Sequence, residues 1–307
     1  MAAVSAPRPL LGAVLLLFVS AAWGSAFPLM KDLMVRVPVA DLLTERYAVA
    51  TLVLLALRPR CLRELPEDTW LTGLLLGLLF GVGQTAQAVA LHDLPSSVSG
   101  FTVGSYVVIT PVLGLVLLGA GVSGRTWLAV ALATAAMTIF TLLRGTEGRA
   151  VPLPALAVTL LSAVLYAGHT LVLGNFAGAR RDAYAVAVIQ LGTIALLTGA
   201  LAAPGGLTLP RAPADWAILA HLSIVACALG FLARSFGQLH VPAAAAAVIL
   251  SAQPLWVAAL AVALYGEQLT WTVLLGGGLI ALAMFLVVLP EETLSAAPRE
   301  TGPALPR

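Results

Sequence analysis

The chain has 307 residues, 60% of them hydrophobic and only 10% charged, with a mean hydropathy of +1.01. Soluble domains carry about 25% charged residues, so this chain has too few to cover itself with a solvated surface. The net charge of +2 comes without a Lys/Arg cluster, which excludes nucleic acid as a partner, and the two cysteines, Cys61 and Cys227, imply neither a disulfide framework nor a metal site.

Ten apolar runs follow one another, near 10–30, 38–57, 70–91, 96–118, 123–143, 153–174, 183–203, 214–237, 242–264 and 270–290. A helix needs roughly 20 apolar residues to cross about 30 Å of hydrocarbon. The connectors are short and leave no room for a soluble domain. The expectation is an all-α polytopic membrane protein of ten transmembrane helices. The first run, with Arg8 before it and Ser20-Ala21-Ala22 within it, mimics a cleavable signal peptide. It continues past the small residues, so it reads as a full span.

With the N-terminus in the cytoplasm, the inner segments hold Arg8, Arg58, Arg60, Arg63, Arg125, Arg180, Arg181, Arg299 and Arg307. The outer ones hold Lys31, Arg36, Arg144, Arg149 and Arg211. Positive charge prefers the cytoplasmic side, so a multi-pass cell-membrane protein with both termini inside is predicted.

Sliding the chain by 143 residues places Trp23 on Tyr166 and Pro111 on Pro254. The aligned neighbourhoods are S20-AAWGS against A163-VLYAG and V107-VITPVLGLVLL against L250-SAQPLWVAALA. Pro95 precedes Pro111 by 16 residues and Pro242 precedes Pro254 by 12, a slip of about one helical turn. This predicts a duplicated five-helix unit, 10–143 and 153–290, with a short cytoplasmic tail at 291–307. Five spans per unit send the second half into the membrane from the opposite side, an inverted repeat. Proline lacks an N–H, so Pro28, Pro111 and Pro254 are expected to release the carbonyls of Gly24, Val107 and Leu250. Those sites are either polar openings or ordinary packing kinks. Gly24 would let a neighbouring helix or a ligand come close.

These stretches resemble a known family. W23-GSAFPLMK-31 looks like the Trp-Gly-Ser-x-Phe-x-x-x-Lys opening of the ten-span EamA-type members of the drug/metabolite transporter superfamily. T44-ERYAVATLVLL-55, with Arg46 followed by Tyr47, is similar to that family's second span. L94-PSSVSGFTVGSYVVITPVLG-114 resembles its fourth span, and A252-QPLWVAALAVALYGEQLT-270 its ninth. The resemblance covers residues 10 to 290 and implies a permease for small metabolites, amino acids or drugs, with no cofactor; Trp23, Gly24, Ser25, Arg46 and Tyr47 carry it into the candidate site. The chain departs from the pattern at Ser123-Gly124, which stand where Gly266-Glu267 stand in the second half, and residues 10–30 hold no Asp or Glu. A proton-coupling role for those positions is therefore not transferable. Glu267 reads better as a turn or helix-end residue.

Ionisable groups at mid-bilayer cost about 2.5–3.5 kcal/mol and default to functional candidates. Arg46 lies eight residues into its run, roughly 12 Å deep; its guanidinium either grips a carboxylate or pairs with Glu45, Asp41 or a helix end. Arg234, one turn from the end of its run, is expected to snorkel. Gln84 and Gln87 share a helix face and serve a solute or a neighbouring helix. Tyr106 and Thr110 stack before Pro111, and Ser162, Tyr166 and His169 form a further face. His169 either titrates near neutral pH or is a satisfied interfacial group. Gln190, Gln253 and Trp256 complete the set. A cavity drawn from both halves is what an inverted-repeat carrier requires.

His92, His169, His221 and His240 show no ligand spacing and no phosphate loop is present, so no enzyme and no metal are expected. A channel's continuous polar ring is also missing. The expected function is a secondary transporter that exports amino acids or related small metabolites by alternating access, with protons as a candidate coupling ion. Multidrug efflux is the alternative, and a non-transporting receptor or scaffold is the weaker one. Expected partners are the small-molecule substrate and the lipid bilayer, with the protein a monomer or homodimer.

Overall fold

The computed structural model describes residues 8–94, 99, 102–144, 152–253, 255, 256, 259 and 271–288. Every regular element among the described residues is helical. In chain order these are α1 Pro9–Leu33, α2 Val39–Leu57, α3 Glu67–Asp93, α4 Tyr106–Leu118 and α5 Gly124–Arg144. There follow α6 Leu153–Asn175, α7 Ala183–Ala202, α8 Pro213–Gly237, α9 Ala243–Leu250 and α10 Trp271–Val288. A five-residue helix, Ala177–Arg181, sits between α6 and α7.

Prolines set many of the starts. Pro38, Pro66, Pro152 and Pro242 stand directly before α2, α3, α6 and α9, and Pro9 and Pro213 occupy the first turn of α1 and α8. At those positions the absent N–H would have had no intrahelical partner, and the fixed φ suits helix entry. Inside the helices proline does not break the chain. α1 runs unbroken through Pro28, whose ring is exposed, and α4 runs through the buried Pro111. Neither proline ends its helix, and Pro254 lies outside the described residues.

Among the described residues five helices are long and apolar enough to cross a membrane: α1, α3, α6, α8 and the stretch Ala183–Gly205 that begins with α7. Shorter apolar helices are Thr102–Leu118, Gly124–Ile139 and Leu274–Val288. α2 is long enough at 19 residues but carries Asp41, Glu45 and Arg46, all three buried. The chain is a multi-pass membrane protein, and its helices turn large apolar side chains outward as well as inward. α3 turns Leu71, Leu75, Leu78, Val82 and Val89 outward and buries Thr72, Gly73, Gly77, Gly81, Gln84 and Gln87. Lipid is as apolar as leucine, so packing is gained by close approach of small residues rather than by hiding apolar ones. A Cβ on Gly77 would lie 2.9 Å from the Gln190 carbonyl oxygen, and one on Gly73 2.7 Å from Ile189 Cβ. The Gly73-Gly77-Gly81 stripe is thus the seam on which α7 rests. Hydroxyls on these helices return to their own backbone four residues back, as at Thr51, Thr110, Thr159, Thr170 and Thr193.

The main helix contacts come in exchanged pairs. α1 packs on α8 as α6 packs on α3; α3 packs on α7 as α8 packs on α2; α4 packs on α6 as α9 packs on α1. α2 with α7, α4 with α9 and α5 with α10 close the pattern. Each half therefore leans on the other more than on itself. The halves are interleaved, and the space between α1, α2, α3, α6 and α8 belongs to both.

Candidate functional site

That space is a cavity of about 640 Å³, its open mouth included. α1 contributes Trp23, Ala26, Phe27 and Met30, and α2 contributes Arg46 and Tyr47. Phe80, Gln84 and Gln87 of α3 line it together with Val103 and Tyr106 near the start of α4. From the second half come Tyr166, Phe231, Arg234, Leu250 and Gln253.

Its apolar wall is a cluster of rings. Phe80 lies 5.5 Å from Trp23, 4.9 Å from Tyr166 and 4.7 Å, edge to face, from Phe231, between ring centroids. Phe231 in turn meets Trp23 at 5.7 Å and Tyr47 at 6.0 Å. Offset and edge-on rings attract through their quadrupoles, and a cluster joining five helices, α1, α2, α3, α6 and α8, forms a firm, flat-sided wall. The Trp23 indole N–H donates to the Ala226 carbonyl at 2.9 Å. Ala226 belongs to a π-helical stretch, His221–Leu229, inside α8. Such stretches insert an extra residue per turn and collect at functional sites. Here the stretch also brings Cys227 to Arg46 and His221 to Ser25.

Two guanidiniums reach the cavity. Arg46 is 4% exposed, donates from Nε to Cys227 Sγ and from Nη1 to Met30 Sδ, both at 3.2 Å, and lies 5.1 Å from the Tyr47 ring centre. Among the described residues the alternative, a pair with Glu45 or Asp41, is not formed. Asp41 accepts from the Thr208 backbone N–H at 3.0 Å, and the buried Glu45 oxygens have no hydrogen-bond partner among the described residues. Arg234 does not snorkel, contrary to expectation. It is 2% exposed, donates to Thr170 Oγ1 at 2.7 Å and Gln238 Oε1 at 3.3 Å, and lies 5.1 Å from the Trp23 ring. The end of α8 is covered by protein: a Cβ on Gly237 would stand 3.3 Å from the Gly12 carbonyl oxygen of α1.

The amides are held by phenols. Tyr166 O–H donates to Gln87 Oε1 at 2.8 Å, and Tyr47 O–H to Gln84 Oε1 at 3.4 Å, leaving both amide NH₂ groups for other partners. The buried Tyr106 hydroxyl has no hydrogen-bond partner among the described residues.

Of the residues singled out from the sequence, Trp23, Arg46, Tyr47, Gln84, Gln87, Tyr106, Tyr166 and Gln253 thus meet around one space. The others lie behind it. Gly24 receives the Gln253 carbonyl, which would stand 2.9 Å from an added Cβ, so the close approach there is made by the chain after α9. Ser25 Oγ meets His221 Nε2 at 2.9 Å, and Trp256 donates to Ser20 Oγ at 2.9 Å. Thr110 Oγ1 bonds its own helix. His169, fully buried, shares a 2.9 Å hydrogen bond with Gln190, which also reaches Ser235 at 3.3 Å. Phe80, Phe231 and Arg234 were not legible as lining residues. The rings carry no polar signal, and the arginine sits near a helix end.

At the far end of α1, Arg36 clasps Asp32 at 2.7 Å and Asp215 of α8 at 2.8 Å. Hydrogen bonds to Asp32 and then to Asp215 hold the guanidinium above its ordinary range.

A family model described as the EamA-like transporter family matches residues 10–142 and again 154–289. A search of curated proteins finds no match. Among solved structures, one described only as the crystal structure of a protein is similar, with a TM-score of 0.74 and 18% identity over 89% of this chain and 95% of its own. At that identity the likeness is one of fold.

Proposed function

Because the chain belongs to the EamA-like transporter family, whose members are membrane transporters of the drug/metabolite superfamily rather than enzymes, we propose that it carries small organic metabolites bearing an acidic group, amino acids or related compounds among them. Transport would run by alternating access between two inverted five-helix halves, outward from a cell whose cytoplasm holds both termini. Ten spans follow if the five long helices are joined by α2, α4, α5, α9 and α10. One observation carries this reading: the cavity's polar groups come from both halves, Arg46, Gln84 and Gln87 from the first and Tyr166, Arg234 and Gln253 from the second. A site shared by two repeats is exposed to either face as one repeat rocks against the other. Arg46 offers a guanidinium fork to an acidic group, and the ring wall suits a flat body. That wall also favours the second reading, efflux of flat aromatic drugs.

The test is uptake by purified protein in proteoliposomes from a mixed pool of metabolites and dyes, with and without a pH gradient. The expected result is saturable uptake of an acidic solute, lost in Arg46→Ala. Accumulation only under the gradient identifies the proton as coupling ion; equilibration without it removes that coupling. A pool in which only cationic dyes move supports drug efflux instead.

A further inference from the structure

The cavity holds two buried guanidiniums, one from each half, and its described lining contains no Asp or Glu. Nor does either arginine enter an ion pair among the described residues. A guanidinium has five N–H donors. Arg46 spends two on a thiol and a thioether, which are weak acceptors, and Arg234 spends two on a hydroxyl and an amide oxygen. Among the described residues both cations have thus been taken out of water without an ion-paired carboxylate, a costly state unless something else supplies a counter-charge. The rings beneath them, Tyr47 under Arg46 and Trp23 and Phe80 under Arg234, offset a part of that cost.

We propose that the substrate carries two anionic groups on a flat, compact body, one for each arginine. This rests on the transport reading above and narrows it. A single carboxylate neutralises one guanidinium and leaves the other facing it. A zwitterion does no better, because its ammonium adds a third positive charge to a lining without a carboxylate. A doubly anionic solute neutralises both, its acidic groups taken by the forks of Arg46 and Arg234 and its body lying against Phe80 and Phe231. The Gln84 and Gln87 amides, whose oxygens each already accept from a tyrosine, keep both NH₂ donors free and so suit an acceptor-rich ligand.

Four aromatic probes of similar size test this: isophthalate with two carboxylates, benzoate with one, phenylalanine as the zwitterion and phenethylamine as the cation. Binding to detergent-solubilised protein is read by calorimetry, and transport by counterflow in proteoliposomes. Isophthalate is expected to bind tightest and phenethylamine not at all. Arg46→Gln and Arg234→Gln should each weaken isophthalate about 10- to 100-fold, the worth of one charge-assisted contact, and bring its affinity down to that of benzoate. Arg234→Lys, which keeps the charge, should retain part of the preference and shows whether the glutamine variant merely unfolded. Phenylalanine or benzoate binding as well as isophthalate overturns the inference and leaves the transporter reading standing. Isophthalate that binds tightly and selectively yet is not moved upholds the inference and overturns transport. No binding by any probe overturns the inference.

Discussion

Two faces of α3 lie side by side and do opposite things. One is the seam of Gly73, Gly77 and Gly81, where α7 comes so near that a Cβ has no place at the first two and is tight at the third. The other carries Phe80, Gln84 and Gln87, which stand at the edge of a cavity. The seam is made of residues with nothing to offer but absence, and it holds because contact is complete. The cavity face is made of residues with much to offer, and several of their donors are left over. In lipid, where apolar burial gives no drive to associate, a single helix can devote one face to being held and the next to holding.

The sharpest way to break this contrast is to fill the seam. Gly77→Leu forces a branched side chain against the Gln190 backbone carbonyl and is expected to cost at least about 3 kcal/mol, read as loss of folded protein by size exclusion and a lower melting temperature. If it were tolerated, the seam would not be close-packed. Arg46→Ala should do the reverse, removing about 2–3 kcal/mol of substrate interaction with little change in melting temperature, because its partners are two sulfurs rather than a carboxylate. Phe80→Ala straddles the two faces. Because the cavity already adjoins it, a loss nearer about 2 kcal/mol than the upper range for core phenylalanines is expected, with weaker binding in calorimetry as the wall loosens. Gln87→Leu strips the Tyr166 hydroxyl of its acceptor, for about 1 kcal/mol, and should alter selectivity more than stability in a competition assay.

Much of this was legible in the sequence, for reasons that differ by residue. Apolar runs of about 20 residues in a chain this poor in charge point to membrane helices, and stretches that recur near one offset point to a duplication, so the class of fold and the two family repeats could be read from the sequence. Arg46, Gln84, Gln87 and Tyr166 stood out because a polar group inside an apolar run must face protein. Phe80 and Phe231 did not, since a phenylalanine looks the same whether it meets lipid or the centre. Arg234 was misjudged because depth was counted from the helix end, and that end is roofed by α1 through Gly12 rather than by headgroups. His169 and Gln190 were each recognisable as buried polar groups. That they answer one another depends on how α6 and α7 cross, which no local pattern records. The glycine stripe at every fourth position was open to reading, but its partner on α7 was not.

The native chain has only two thiols, and both are buried. Cys227 lies under the Arg46 guanidinium, at the end of the π-helical stretch that joins the halves. Cys227 is fully buried, so a maleimide reaches its sulfur only when the packing around it and Arg46 opens, and the rate of alkylation in a Cys61→Ser background should report that opening. Once Cys61 is replaced, the protein carries one native thiol reporter beside the site, and a bound solute should slow its alkylation.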